Sequence, residues 1–291
     1  MHSPRLSKHV LPLLAAAAAF LPADPAFATH SWDGLHWART TTLNIRLADN
    51  VSSAWDAHLS TESTDWTAAA KIDTTVIQGY RNPYYCSATY GRVEVCSYRY
   101  GYTGWLGIAR VWTSYGHIVQ AIVAVNDTYF ASAPYNTAPW RRFVMCQEVG
   151  HTFGLDHQDE DKLNINLGSC MDYTRDPSGT LGTNGTLSNE HPNKHDFDQL
   201  NLIYAHTDGW QLSSTGPASS AVSVSTADQP PRGRPGIPTN LGAPELNPSD
   251  WGRAVANDNK RRGRVFVRDL SGGTQLTTFV LWTDPEDDKG R

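Results

Sequence analysis

The sequence has little charge and no excess of positive charge. Only 18% of its residues are charged, with 24 lysines and arginines against 29 aspartates and glutamates. That fraction is low for a cytosolic protein. The formal net charge of -5 gives no electrostatic reason to expect binding to nucleic acid or to a membrane surface. We therefore expect the partners of this protein to be neither nucleic acids nor membrane surfaces.

The sequence also lacks an apolar run long enough to span a bilayer, which needs about 20 residues. The apolar stretch from Val10 to Leu21 is instead typical of an export signal. Arg5 and Lys8 precede it, and Ala26-Phe27-Ala28 fits a cleavage site. We expect residues 1–28 to be a signal peptide, and the protein to be secreted, or periplasmic if it is retained. No membrane span is expected.

Cysteine is scarce, with four residues in the whole chain. An even number of cysteines in an exported protein predicts two disulfides. Cys86 and Cys96 bracket Tyr90-Gly91, which is typical of a turn, so the spacing favours a bond between them across a hairpin. Cys146 and Cys170 then form the second pair. Free buried thiols are the alternative.

The spacing of apolar residues predicts both strands and helices. Strands are expected at 41–47, 74–77, 92–98, 105–112 and 117–125. Three helices are expected: one containing Trp55 and Leu59 with Ser52 or Ser53 as its cap, one from Trp140 to about Phe153 after Pro139, and one over 194–204 capped by Asn193.

The composition changes after residue 212, which we take as the end of a domain that begins at 29. Residues 213–250 are rich in serine, alanine, proline, threonine and glycine, as in a flexible linker. Within the tail at 251–291, the segments 265–267 and 277–282 predict a β-hairpin around Ser271-Gly272-Gly273. A hairpin alone is only marginally stable, so it must dock elsewhere or stay loose.

The segment from Gln147 to His157 has the spacing of a metal site. On a helix, Gln147 and His151 are four residues apart and share one face. Glu148 lies one step around the helix, beside the position of a metal-bound water. Gly154 suits the end of the helix, since glycine adopts the left-handed conformation without steric penalty. The chain can then turn and bring His157 to the same ion, which leaves one open position as in catalytic zinc sites.

This segment resembles the metzincin signature H-E-x-x-H-x-x-G-x-x-H, which it matches at Glu148, His151, Gly154 and His157. It departs at the first position, where Gln147 replaces histidine. The resemblance extends over about 37–208. It implies an α+β fold in which a twisted mixed sheet packs with helices, an active-site helix, a Met-turn and a C-terminal helix.

The family's Met-turn has a counterpart in Cys170-Met171-Asp172-Tyr173. Met171 is the methionine expected beneath the metal. Tyr173 is similar to the tyrosine that astacin-like and serralysin-like members place near the metal. The helix beginning at His195-Asp196-Phe197 resembles the family's closing helix.

Gln147 leaves three interpretations open. It coordinates zinc through its amide oxygen, a weaker ligand than imidazole nitrogen. Alternatively, it stands off while water or Tyr173 completes the coordination. In the third interpretation the site has lost both metal and activity. The retained Glu148 argues against this last one, because an idle site has no chemical need of a base.

The resemblance implies a secreted zinc-dependent endopeptidase, a monomer that acts on protein or peptide substrates. His151, His157 and Gln147 would hold Zn²⁺, Glu148 would be the general base, and Tyr173 would help stabilise the oxyanion. The substrate would lie along an edge strand at 118–125. Two alternatives are a weakly active or inactive module that binds peptides in the same cleft, and a disulfide-stapled adhesion or carbohydrate-binding domain.

Other potential ligands have simpler interpretations. Asp156, Asp159, Glu160 and Asp161 are expected to form a solvated loop; a Ca²⁺ site is the alternative, which no recognisable ligand spacing supports. The remaining histidines of the mature chain are expected to be structural: His30, His36, His58, His117, His191, His195 and His206.

Overall fold

A mixed β-sheet and three helices form the part of the chain that the structure describes. The computed structural model describes residues 29–209, 211, 246, 248–257 and 262–284. The predicted signal peptide and nearly all of the predicted linker lie outside these residues. The helices are α1 (Asp56–Trp66), α2 (Ala138–His151) and α3 (Lys194–Ile203). The predicted α+β class is confirmed.

Nine strands make up the sheet. They are β1 (His36–Trp37), β2 (Leu43–Asn50), β3 (Ile72–Gln78), β4 (Val93–Tyr98), β5 (Trp105–Ser114), β6 (His117–Asn126), β7 (Arg253–Asn257), β8 (Gly263–Asp269) and β9 (Thr274–Trp282). Their order across the sheet is β3-β2-β4-β6-β5-β9-β8-β7, and β1 pairs with the start of β6.

The sheet has a parallel part and an antiparallel part. Strands β3, β2, β4 and β6 are parallel neighbours, while β5 runs antiparallel to β6. Strand β9 pairs antiparallel with β5, and β8 and β7 follow. The hairpin of the tail therefore docks on β5. Strands β5 and β6 are buried along nearly their whole length, as expected where both faces and both edges of a strand are covered.

The helices α1 and α2 pack against each other and against the sheet. The main core lies between these two helices and the sheet. It includes Trp55, Trp66, Phe143 and Phe153, all fully buried or nearly so. A smaller apolar cluster involves the tail and consists of Trp105, Ile108, Ala124, Trp251 and Val280. Within the described residues, no helix combines the length and the apolar character needed to cross a bilayer.

Both predicted disulfides are present. Cys86 bonds to Cys96, and Cys146 on α2 bonds to Cys170 in the loop that follows. The predicted helix caps are partly correct. Asn193 caps α3 with a full capping box, whereas α1 begins after Trp55 without a side-chain cap, so the prediction of a serine cap was wrong.

Candidate functional site

Helix α2 carries the first part of the candidate site. Thr137 accepts a hydrogen bond from the Trp140 amide, and a proline follows in the first turn, so the helix start is well defined. The helix ends at His151. Its last turns are buried between the sheet and the following loop, which brings Gln147, Glu148 and His151 into the interior.

The turn after α2 depends on Gly154. Its φ is +96°, in the left-handed region that favours glycine. A Cβ at this position would lie 1.8 Å from the Leu35 carbonyl oxygen, so no larger residue fits. The Gly154 carbonyl accepts from the Trp32 amide, and the Asp156 amide donates to the His30 carbonyl at 2.6 Å. The N-terminal segment thus holds the turn that leads to His157.

His151 and His157 face each other across this turn. Their Nε2 atoms are 3.0 Å apart, and His151 Nδ1 lies 2.9 Å from the Leu155 carbonyl oxygen. A carbonyl only accepts, so it fixes Nδ1 of His151 as the protonated nitrogen and leaves a lone pair on Nε2. Burial lowers the pKa of His151 well below its usual value, with a further contribution from His157. Burial also lowers the pKa of His157, to about 3.

Gln147 and Glu148 precede His151 on α2 by four and three residues. Both are fully buried, and neither side chain has a hydrogen-bond partner among the residues described. Burial raises the pKa of Glu148 well above its usual value. Gly107 on β5 leaves room for the carboxylate, since a Cβ there would lie 2.6 Å from Glu148 Oε1. Buried polar atoms without partners cost free energy, and a bound ion or a role in a reaction accounts for such a cost.

Met171 lies directly under α2. A Cβ on Gly150 would come within 2.6 Å of its sulfur, so the loop packs tightly against the helix. The Met171 amide donates to Ser169 Oγ, and the Ser169 hydroxyl donates to Asp196 on α3. With the disulfide from Cys146, these bonds fix the loop to both helices.

Tyr173 follows in the same loop and lies against His157. Their ring centroids are 4.4 Å apart. The Tyr173 hydroxyl is buried and has no partner in the described part of the chain. Burial raises its pKa well above the usual value. The hydroxyl is therefore a neutral donor close to the histidine pair.

The tail contributes two further residues to the site. Phe279 of β9 stacks on His151, with ring centroids 4.2 Å apart and planes 8° apart. Arg264 of β8 places Nη1 3.1 Å from His157 Nδ1 and 3.1 Å from Asp156 Oδ1, and it also pairs with Glu160. Sequence reasoning missed both residues. No motif marks them, and Arg264 is more than a hundred positions from its partners.

The strand expected to bind substrate is not at an edge. Strand β6, which contains 118–125, lies between β4 and β5. The prediction of an edge strand there was wrong. Its near-continuous apolar sequence is typical of a central strand, and this signal could have shown its place. Strand β5 is the outer strand of the sheet formed by 29–209, and β9 occupies its free side.

The acidic loop and the other histidines also have specific partners. Asp156 and Glu160 both bind Arg264, so they are not simply solvated. Among the histidines expected to be structural, some bind single aspartates: His30 binds Asp196 and His191 binds Asp65. A separate group converges on one carboxylate: His36, His117 and His206 around Asp208.

The donor set around α2 suits a zinc ion. The Nε2 atoms of His151 and His157 are 3.0 Å apart, and the unpartnered amide of Gln147 lies about one helical turn before His151. No protein-family model matches the sequence. No curated protein matches it either.

The solved structures that are similar to the chain include the following two. One is high choriolytic enzyme 1, a hatching-enzyme zinc protease from the medaka fish Oryzias latipes, at 12% identity and a TM-score of 0.32, over 58% of this chain and 94% of that one. The other is myroilysin, at 10% identity and a TM-score of 0.33, over 58% of this chain and 82% of that one.

Proposed function

We propose that the protein is an exported zinc-dependent endopeptidase. The observation that carries this proposal is the pair of buried imidazoles with Nε2 atoms 3.0 Å apart, together with a buried carboxylate three residues before His151 on α2 that has no partner in the described residues. His151, His157 and Gln147 would hold the ion. Zinc bound there supplies a water of lowered pKa and polarises the substrate carbonyl.

Glu148 is the general base in this proposal. Its carboxylate would accept a proton from the attacking water and pass it to the leaving amine. Burial raises the pKa of Glu148 well above its usual value, so this carboxyl group holds a proton more readily than an exposed glutamate does. The neutral Tyr173 hydroxyl would donate a hydrogen bond to the oxygen that becomes negative.

Substrate would bind as an extended segment along β5. Glu148 lies against Gly107 on this strand, so a peptide paired with the strand would pass beside the carboxylate. In the structure this side of β5 is paired with β9. Substrate binding therefore requires that the hairpin formed by β8 and β9 be displaced from β5.

The direct test is cleavage of unfolded casein by the full chain in the presence of zinc. Glu148→Ala should lower kcat/KM by about 10²–10⁴-fold, as expected for loss of a general base. Cleavage that persists in this variant would contradict the assignment. A peptide-binding module without activity would bind casein and leave it intact, and an adhesion domain would bind no zinc through His151 and His157.

The role of Gln147 has its own test. An amide oxygen donates less electron density to zinc than an imidazole nitrogen does. The wild-type chain should therefore lose metal to mild chelators more readily than Gln147→His. Equal chelator sensitivity would show that Gln147 is not a ligand.

A further inference from the structure

Three histidines and an aspartate converge at a point separate from the candidate active site. His36 is on β1 and His117 is the first residue of β6, and the parallel pairing of these strands makes the two residues direct neighbours. His206 and Asp208 follow α3. The fold therefore brings together three segments that are distant in sequence.

Two of the imidazoles are oriented in the way that metal ligands are. His36 Nδ1 lies 2.7 Å from the Gly34 carbonyl oxygen, and His117 Nδ1 lies 3.0 Å from that of Tyr115. Each carbonyl fixes the proton on Nδ1, so Nε2 carries a lone pair directed at Asp208. The same arrangement orients His151 through Leu155.

Three of these donor atoms lie close enough together to bind one ion: His36 Nε2, His206 Nε2 and Asp208 Oδ1. Asp208 Oδ1 lies 3.4 Å from His36 Nε2, 3.3 Å from His117 Nε2 and 3.0 Å from His206 Nε2. The His36 and His206 Nε2 atoms are 3.1 Å apart. Zinc bonds of about 2.0–2.1 Å in a tetrahedron place neighbouring ligand atoms about 3.3 Å apart.

The surroundings hold the aspartate in place. Asp208 Oδ2 accepts from the Arg39 amide at 2.9 Å, and the Asp208 amide donates to the Arg39 carbonyl. The side chain of Asp208 is only 6% exposed, whereas that of His206 is 55% exposed. The centre is therefore buried on one side and open to solvent on the other, which gives an ion a route of entry.

We propose that His36, His206 and Asp208 hold a second zinc ion, and that His117, whose Nε2 lies 3.3 Å from Asp208 Oδ1, completes a structural site that joins β1 and β6 to the chain after α3. Four protein ligands without an open position are typical of a structural rather than a catalytic ion. The test is the zinc content of the purified full chain after equilibration with zinc and removal of the excess.

His206→Ala should hold one zinc equivalent less than the wild type, and His117→Ala should do the same. His191→Ala is the control, because this exposed histidine contacts Asp65 instead, and it should keep the wild-type content. A chain with both His151→Ala and His157→Ala should retain one zinc, and adding His206→Ala should remove it. Unchanged zinc content in His206→Ala would overturn the proposal and show a hydrogen-bonded histidine cluster only.

A second inference rests on the proposed function and concerns Arg264. An arginine can only donate, so its contact with His157 Nδ1 makes that nitrogen an acceptor. The proton of neutral His157 is then on Nε2, where it is donated to His151 Nε2. In this tautomer, His157 has no Nε2 lone pair for a metal.

We infer that the β8–β9 hairpin is an autoinhibitory latch. It fills the side of β5 where a peptide would bind, covers His151 with Phe279, and holds His157 in a form that does not bind zinc. When the hairpin leaves, Asp156 and Glu160 become the partners of His157 Nδ1, since their carboxylates lie 3.6 and 3.7 Å away. Both accept a hydrogen bond, which favours the ligating tautomer.

The test compares Arg264→Gln in the full chain with Arg268→Gln, a variant of an exposed arginine on the same strand. Zinc affinity is measured by competition with a chromogenic chelator, and peptide cleavage is measured separately. Arg264→Gln should bind zinc at least about tenfold more tightly than the wild type, which corresponds to about 1.4 kcal/mol, and Arg268→Gln should not.

Peptide cleavage should rise in the same variant. Unchanged zinc affinity in Arg264→Gln would overturn the latch. Tighter zinc binding without any cleavage would support the latch and count against the proposed peptidase activity, so the two failures are distinguishable.

Discussion

Gly154 sets the turn between α2 and His157, and replacing it tests how that turn is held. Its φ of +96° is unfavourable for any residue with a Cβ. In addition, an added Cβ would lie 1.8 Å from the Leu35 carbonyl oxygen. Because this neighbour is backbone, it cannot rotate away. Gly154→Ala must therefore displace either the turn or the N-terminal segment.

The two effects can be separated in magnitude. The left-handed conformation costs an alanine about 1–2 kcal/mol. Overlap with a packed neighbour typically costs about 1–3 kcal/mol more. Gly154→Ala should therefore lower the free energy of unfolding by about 2–5 kcal/mol. Gly101→Ala is the matched control, because its φ is +87° and nothing lies within 4 Å of its Cβ position. It should lose only about 1–2 kcal/mol.

Urea unfolding followed by tryptophan fluorescence measures both values by linear extrapolation. The ten tryptophans of the chain give a strong signal. Equal losses in Gly154→Ala and Gly101→Ala would refute the reasoning, since they would mean that contact with Leu35 is unimportant to the turn.

Three further predictions follow from buried groups. Burial, with Asp65 nearby, raises the pKa of Glu62. The folded state therefore binds more protons than the unfolded state, and the free energy of unfolding falls as pH rises above about 4.3. Glu62→Gln should flatten this fall between pH 4 and 8, and parallel stability curves for the variant and the wild type would contradict it. Removing the disulfide that closes a separation of 24 residues, by Cys146→Ala with Cys170→Ala, should cost about 3 kcal/mol in urea unfolding, and unchanged stability would argue against it. Gly107→Ala should lower kcat by about 10²-fold with zinc content unchanged, because its Cβ displaces the Glu148 carboxylate; a wild-type kcat would show that this contact is not needed.

Local signals in the sequence were sufficient for most of the elements. Pro139 marks the start of α2, Asn193 marks the start of α3, and the glycine after α2 marks its end. The strands predicted at 105–112 and 117–125 lie within β5 and β6. These features depend on residues close to one another in sequence, where propensity and periodicity decide the outcome.

Pairing between distant strands could not be predicted in this way. Ala109 on β5 pairs with Phe279 on β9, and neither sequence contains information that selects the other. The position of Arg264 against His157 follows from that pairing and was hidden for the same reason. Likewise, the convergence of His36 and His117 depends on the register of β1 on β6, which cannot be predicted from the sequence of a two-residue strand.

The order of the strands along the chain also affects how the protein folds during its synthesis. During synthesis, β5 and β6 leave the ribosome long before β9, since β6 ends at Asn126 and β9 begins at Thr274. At about 5–20 residues per second, the interval is on the order of ten seconds. Throughout it, β5 presents an unpaired edge, which invites pairing with other nascent chains. Chaperone protection of this interval would then decide how much newly made protein escapes aggregation.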